Sequence, residues 1–204
     1  MSLAGVEIVL GPVEIEEAAH PEEGPRALVT RLARTKLERA VRASSAGDVA
    51  LAADTVVADG DQILGKPADR EAAIEMLLRL AGRWHQVLTS LAVHDRRSQR
   101  TVQSVAVSSV RMREYARGEI EAYVDSGSPF DKAGGYGIQD EGLNPVDLDA
   151  FGDCFTNVMG LPLCHLGHAL QRLEFPVPVD LNAVCQSFGA HQVVVEDVMA
   201  RGDS

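Results

Sequence analysis

Lys36 is the first residue whose position suggests chemistry, because it lies on the apolar face of a predicted helix. At about 100° per residue, the other side chains on that face are those of Val29, Leu32, Ala33 and Ala40. An ammonium in such surroundings loses much of its hydration unless an anion or a water-filled cleft receives it. We therefore expect anion binding at Lys36, although a buried stem with its charged end in solvent is the structural alternative.

Asp54 interrupts the apolar run 49–57, which predicts a strand buried on both faces. A carboxylate there is costly unless it is paired, bound to a metal or placed at the open end of the strand. Ligands of open α/β sheets bind in the crevice beyond the strand ends, so the position favours a functional carboxylate. A structural aspartate that caps a turn or accepts backbone hydrogen bonds is the alternative.

Two glycine-containing segments each carry a lysine, namely Lys66 in Gly65-Lys66-Pro67 and Lys132 in the segment 131–139. Glycines let a backbone approach a ligand closely, and lysines supply positive charge to phosphate oxygens. The first segment is not a P-loop, because proline follows the lysine where a P-loop has serine or threonine. Taken singly, each segment is a weak signal, and a lysine between glycine and proline is more often part of a turn.

Alternating helical and strand patterns must position these residues, and they predict an α/β or α+β domain around one mixed sheet. Strands are predicted at 6–10, 49–57, 62–64, 86–94 and 101–110. Helices are predicted at 26–44, between an N-capping Asp69 and Gly82, at 119–124 and at 161–173. The glycine-rich segment 131–142 is predicted to be a loop, and the apolar run 192–195 is expected to add a strand or pack on the core.

Composition restricts the classes of function. The formal net charge of −11 argues against a nucleic-acid surface, but a few lysines and a metal could still hold a small anion. The sequence has no run of about 18 uncharged apolar residues that would predict a membrane span, and residues 1–10 do not resemble a signal peptide. We therefore expect a cytoplasmic protein. Cys154, Cys164 and Cys185 lack a C-x-x-C spacing and are expected to be reduced, partly buried thiols.

Several motifs together resemble the Maf family of nucleoside triphosphate pyrophosphatases in their order and spacing. They are Asp54-Thr55-Val56-Val57, Ile63-Leu64-Gly65-Lys66-Pro67, Gly82-Arg83-Trp84-His85, the segment 131–139 and Asn157-Val158-Met159-Gly160-Leu161-Pro162-Leu163. The similarity implies the Maf/inosine triphosphate pyrophosphatase-like fold, a twisted mixed sheet flanked by helices and a cleft. It implies a domain at 1–173 with an extension at 174–204, and the tyrosine, glycine and glutamine of 136–139 resemble the branch acting on dTTP and UTP.

The resemblance also implies a role for each matched position. Asp54 would be the general base that activates water, and Glu17 would help Asp54 to hold a divalent metal, magnesium or manganese. Lys36 and Lys66 would bind the triphosphate, and Thr55 and Gln139 would take part in base choice. Lys132 would either contact phosphate or brace its loop. A homodimer is a further expectation from the family.

These roles agree with elementary chemistry. Water attacks the α-phosphorus while negative charge builds on the departing oxygens, which lysines and a metal can offset. A carboxylate beside the metal can accept the proton of the water. Magnesium needs only a few protein carboxylates when substrate phosphates complete its coordination. A glutamine offers both a donor and an acceptor to the imide edge of uracil or thymine.

One departure from the family pattern leaves two functions open. The matched region begins near Ala4, and the family's opening strand and Ser-x-Ser-Pro-Arg-Arg loop have no counterpart in the sequence. The sequence is then expected to be either a shortened form of an active enzyme or a product with weakened catalysis. The corresponding alternative function is a non-catalytic, nucleotide-binding regulator of cell division.

Overall fold

The computed structural model describes residues 2–3, 6–7, 9–140, 143–189, 195 and 198. Strands β1 (Ser2–Leu3) and β2 (Val6–Glu7) pair antiparallel with each other. The main sheet contains β3 (Val49–Asp59), β4 (Gln62–Leu64), β5 (Trp84–Asp95) and β6 (Arg100–Arg111), in the order β4-β3-β5-β6. Every pairing between these four strands is antiparallel.

Helices flank this sheet and supply much of the core. In the described residues they are α1 (Pro25–Ala43), α2 (Arg70–Leu80), α3 (Arg117–Asp125), α4 (Phe155–Val158), α5 (Leu163–Arg172) and α6 (Leu181–Ser187). Proline stands at the first turn of α1, where its missing N–H costs nothing. The Asp69 side chain accepts a hydrogen bond from the Ala72 amide at 2.8 Å and thereby caps α2, as the sequence predicted.

The predicted α/β class is confirmed, while several details differ. The described sheet is antiparallel throughout rather than mixed. Of the described positions in the predicted strand 6–10, Val6–Glu7 pair as a strand and 9–10 do not, and the short helix α4 was not anticipated. A 3-10 turn at Ser128–Asp131 leads into the loop 131–142, and a second one at Ala133–Gly135 lies within it. Its last two positions, and 192–194 of the predicted apolar run, lie outside the described residues.

Strand β3 is less buried than the apolar run predicted. Strand β5 pairs with it from Val49 to Ala58, but β4 covers its other edge only from Val57 to Asp59. Among the described residues, no strand pairs with the remainder of that edge. Leu51 is consequently exposed and positions 52–55 are half-buried, whereas positions 56–58 are buried. The partly open edge leaves Asp54 and its neighbours accessible from the side.

Helix α1 packs on one face of the sheet. Its residues Leu28, Val29 and Leu32 form a buried cluster with side chains of β3, β5 and β6, namely Val56, Ala58, Leu88 and Val105. Val198, from the C-terminal extension, packs against the same cluster and donates its amide to the Gln103 carbonyl at 2.9 Å. This packing fixes the rotation of α1 and directs Lys36 toward β3.

The opposite face of the sheet carries the largest core cluster. Residues of α2 and α3 pack there with Val57, Tyr136 and Ile138, which brings the segment 131–139 against β3. The buried His85 ring forms a hydrogen bond with the Tyr136 hydroxyl and an edge contact with its ring. The described helices include none that is long and apolar enough to cross a membrane.

The glycines of the segment 131–139 predict a measurable cost for a single methyl group. Gly134 has φ of 74°, and an added Cβ would lie 3.0 Å from Val57 Cγ2. We expect Gly134→Ala to lower the free energy of unfolding by about 2 kcal/mol, since the left-handed conformation alone costs about 1 to 2. Gly118→Ala is the control, because Gly118 lies in α3 with open space around it. Chemical denaturation should show that variant to be unchanged or more stable.

Buried His85 predicts a pH-dependent stability. Burial lowers the pKa of His85 from 6.5 to about 4. Between pH 6.5 and pH 4, His85 is therefore protonated in the unfolded chain but remains neutral in the folded chain. The contribution of neutral His85 to the free energy of unfolding is fully present above pH 6.5. As the pH falls toward 4, about 3 kcal/mol of that free energy is lost. Denaturation curves of the wild type and of His85→Gln should therefore converge as the pH falls through this window. Parallel pH profiles would contradict the assignment.

Candidate active site

All seven predicted site residues line one cleft of about 290 Å³. They are Glu17, Lys36, Asp54, Thr55, Lys66, Lys132 and Gln139. Successive side chains of a strand point to opposite faces, yet Asp54 and Thr55 both line this cleft. The cleft therefore passes around the open edge of β3. A larger groove of about 700 Å³ on the outer side of α1 contains none of the seven residues, so the chemistry is assigned to the smaller cleft.

An ammonium between two carboxylates forms the centre of the cleft. Lys36 Nζ donates to Glu17 Oε1 at 2.7 Å and also to Asp54 Oδ1. The Asp54 side chain is only 10 % exposed, whereas that of Glu17 is 51 % exposed. The costs of placing Lys36 on the apolar face and Asp54 in the strand thus offset each other, because each charge meets an opposite one.

Two arginines of α1 hold the segment that carries Glu17. This segment, 9–24, has no helix or strand. The Arg31 guanidinium donates to the Ala18 carbonyl at 2.9 Å and pairs with Glu23 at 2.7 Å, while Arg39 donates to the Glu14 carbonyl. Glu17 therefore lies beside Lys36 because its neighbours on both sides are tied to the same helix.

The environment separates the two carboxylates electrostatically. The hydrogen bond from Lys36 lowers the pKa of Glu17. Burial raises the pKa of Asp54 despite the opposing effect of Lys36. Burial alone would lower the pKa of Lys36, but its hydrogen bonds to Asp54 and Glu17 outweigh burial and raise it. Lys36 thus stays charged, and Asp54 is the better proton acceptor of the two carboxylates.

Lys66 is the cation best placed to receive a ligand. Its side chain is exposed in the turn after β4, and within the described residues it has neither a hydrogen bond nor an ion pair. The charged residues lining the cleft are three lysines and the carboxylates of Glu17, Asp54 and Asp131, so the positive and negative charges are equal in number. A polyphosphate would therefore meet little net positive charge unless a cation accompanied it.

Lys132 braces the loop that closes one side of the cleft. Its Nζ donates to the Ser128 carbonyl at 2.7 Å and to Asp131 Oδ1 at 3.0 Å. Asp140 Oδ2 lies 3.7 Å away and accepts hydrogen bonds from the Ser128 hydroxyl and the Gly137 amide, each at 3.1 Å. Of the two roles that the sequence left open for Lys132, these contacts support bracing.

Thr55 connects the cleft to a buried polar network. Its hydroxyl lies 2.9 Å from that of Thr89, which donates to the Asn157 carbonyl at 3.0 Å. The Asn157 amide donates in turn to the Val87 carbonyl at 3.1 Å and to Ser108 at 2.8 Å. Thr89 and Asn157 are fully buried, so this network rigidly connects α4 to the sheet.

The sequence argument did not assign several residues that shape this part of the cleft. Gly160 has φ of 96°, and an added Cβ would lie 3.3 Å from the Thr55 hydroxyl. Val158, Met159 and Tyr136 are further lining residues. Gly160 was the signal that the sequence offered, because a glycine allows the backbone to approach a neighbouring group more closely than any side chain permits. Gln139 is exposed and lines the same cleft, with no hydrogen bond in the described part of the chain.

The acidic residues at the centre fit the requirements of a hard divalent cation. Glu17 and Asp54 reach the same ammonium, so their carboxylates lie close together at an open cleft. Two carboxylates with room for water and phosphate oxygens suit magnesium or manganese, which seldom need a closed protein cage. The donor set is therefore compatible with the predicted metal.

Comparison with known proteins shows the family of the chain. A family model described as "Maf-like protein" matches residues 1–173. A dTTP/UTP pyrophosphatase of Thermomicrobium roseum is 39% identical over 195 residues, which cover 91% of this chain and 85% of the relative. Those of Desulforamulus reducens and Geobacter sulfurreducens are 37% and 38% identical, covering 82% and 85% of this chain and 86% and 89% of their own lengths. The chain belongs to the Maf family.

Proposed function

We propose that this chain hydrolyses dTTP and UTP to the nucleoside monophosphate and pyrophosphate. The observation that carries the proposal is the convergence of Glu17, Lys36, Asp54 and Lys66 on one cleft. The relatives named dTTP/UTP pyrophosphatase support the choice of substrate. The nucleotide would lie around the open edge of β3, with its phosphates on the Lys36 side and its base on the Thr55 side.

The cleft residues divide the reaction into proton transfer and charge stabilisation. Asp54 accepts the proton of a water molecule that attacks the α-phosphorus, and burial raises the pKa of this carboxyl group, which favours it as the proton acceptor. The bond between the α-phosphorus and the bridging oxygen breaks, and pyrophosphate leaves. Lys36 and Lys66 stabilise the charge that develops on the phosphate oxygens, because both ammonium groups line the cleft.

A divalent metal is the proposed cofactor, and Glu17 and Asp54 are the residues that would hold it. When bound, it would supply positive charge to a substrate that the balanced cleft attracts only weakly. The carboxylate of Glu17 has a further role in this arrangement. Glu17 keeps one negative charge beside Lys36 while Asp54 changes its protonation during the reaction.

The other end of the cleft supplies the groups for base selection. Gln139 offers one donor and one acceptor to the imide edge of uracil or thymine, and Thr55 lines the same cleft. Cytosine presents a different donor pattern, so at least one polar group would lose its partner. Because Thr55 is fixed through Thr89 and Asn157, the site resists the rearrangement that a mismatched base would need.

The regulator alternative is not favoured, since the relatives are named as pyrophosphatases and the cleft contains both a candidate base, Asp54, and the cations of Lys36 and Lys66. A cytoplasmic location and a homodimer belong to the same proposal as expectations from the sequence. The absence of a membrane-spanning helix among the described residues is compatible with that location.

Product analysis in ¹⁸O-labelled water tests the proposed function. With dTTP or UTP and magnesium or manganese, we expect pyrophosphate as the first product and the label in the monophosphate. Label in pyrophosphate would place the attack on the β-phosphorus and contradict the mechanism. Orthophosphate as the first product would indicate a phosphatase, and tight nucleotide binding without turnover at any metal concentration would support the regulator.

Asp54→Asn should decrease kcat by about 10²- to 10⁴-fold, because it removes the proton acceptor while preserving the size of the side chain. Lys36 keeps its ion pair with Glu17 in this variant, so the fold should persist. Asp59→Asn is the matched control on the same strand, since Asp59 pairs with Arg79 and Arg83 outside the cleft. Steady-state kinetics with both variants check the assignment. Equal losses in the two variants would contradict it.

Lys66 and Lys132 should separate substrate binding from loop stability. Lys66→Ala should raise KM for the nucleotide by about 10-fold or more without changing Tm, since a charge-assisted hydrogen bond contributes about 1.5 to 3 kcal/mol. Lys132→Ala should lower Tm, because it removes the bonds to Ser128 and Asp131. Kinetics and thermal melting of both variants provide the comparison. An unchanged KM in Lys66→Ala would contradict its phosphate role.

A further inference from the structure

The three cysteines, which the sequence suggested were dispersed thiols, converge at one buried point outside the cleft. Cys154 immediately precedes α4, Cys164 lies in the first turn of α5, and Cys185 lies in α6. Cys154 Sγ is 3.6 Å from Cys164 Sγ and 3.5 Å from Cys185 Sγ. All three are buried, and none forms a disulfide.

The distances between the sulfurs match those between thiolate ligands bound to one metal ion. Sulfurs bound to zinc at about 2.3 Å in a tetrahedron lie about 3.8 Å apart, whereas a disulfide requires about 2.05 Å. The two measured separations are close to the first value. Within the described residues, the cysteines form the one group of three or more His, Cys, Asp or Glu whose ligand atoms all lie within 4.8 Å of one another.

An oxygen completes the polar side of the cluster. The Thr156 hydroxyl lies 3.3 Å from Cys154 Sγ and 3.1 Å from Cys185 Sγ, and it accepts a hydrogen bond from the Leu163 amide at 3.1 Å. Leu163 also packs against the buried sulfurs. Three soft donors beside one weak oxygen donor suit a thiophilic cation better than magnesium or calcium.

We propose that Cys154, Cys164 and Cys185 bind one thiophilic d¹⁰ cation, Zn²⁺ being the reference ion. Coordination replaces the thiol protons, which leave to solvent, with metal–sulfur bonds. Two thiolates and one thiol give a neutral complex with Zn²⁺, and three thiolates give a single negative charge. The oxidation states of sulfur and metal do not change.

The cation would fasten the C-terminal extension to the catalytic domain. Cys185 belongs to the extension 174–204, whereas Cys154 and Cys164 belong to the region matched by the family model. The Phe188 ring stacks on that of Phe155 with centroids 5.8 Å apart, so α6 already rests on α4. Because α4 also carries Asn157, the bound cation would support the hydrogen-bond network that fixes Thr55.

Metal titration of the full, reduced, metal-free chain tests the proposal. We expect the cysteines to bind one equivalent of Zn²⁺ per chain, beyond any that the carboxylates of the cleft bind, and Co²⁺ at the same site should give a thiolate-to-cobalt charge-transfer band. Zinc should raise Tm by on the order of 5 °C when its concentration is far above Kd. Asp54→Asn should keep the band, because carboxylate-bound cobalt has no sulfur ligand.

Cysteine variants separate this site from any metal at the cleft. Cys154→Ala, Cys164→Ala and Cys185→Ala should each weaken the band and abolish the zinc-dependent rise in Tm, and the triple variant should lose the band entirely. A melting transition in zinc-free buffer verifies that each variant folds. No charge-transfer band in the folded wild type would overturn the proposal. A mass two hydrogens lower with no metal uptake would also overturn it and identify a redox pair.

Discussion

The site depends on one buried electrostatic constraint, the contact of the Lys36 ammonium with the carboxylates of Glu17 and Asp54. Neither Lys36 on the apolar side of α1 nor Asp54 within β3 is favourable alone, and removing Lys36 would leave the buried carboxylate of Asp54 without its opposite charge. The constraint fixes α1 against β3 and draws the segment 9–24 across the helix. The open edge of β3 then lets the same cleft include Thr55 and Lys66.

The sequence predicted the parts of this arrangement that local chemistry determines. Lys36 and Asp54 stood out because a charge in an apolar pattern needs a partner, and the helix cap at Asp69 followed from short-range preferences. Motif order then allowed Glu17 and Gln139 to be placed, although neither has a local pattern that identifies it. The strand and helix boundaries shifted by only a few residues.

The remaining features arise from contacts between distant segments. The antiparallel pairing of β3 with β5 and the partly open edge of β3 depend on tertiary partners rather than on the apolar run. Thr89 and Asn157 become a site support only when α4 packs on the sheet. The cysteines are separated by many residues along the chain, and only the docking of α6 brings Cys185 to the other two. Spacing rules for metal motifs could not detect that cluster.

The most direct measurement is a crystal structure of the full chain with a UTP analogue that has an imido bridge between the α- and β-phosphorus, together with magnesium. The account predicts metal at Glu17 and Asp54, phosphate oxygens at Lys36 and Lys66, and the uracil beside Thr55 and Gln139. The α-phosphorus should face Asp54, with space for one water molecule between them. A nucleotide bound in the groove on the outer side of α1, or one with its base beside Lys36, would contradict it.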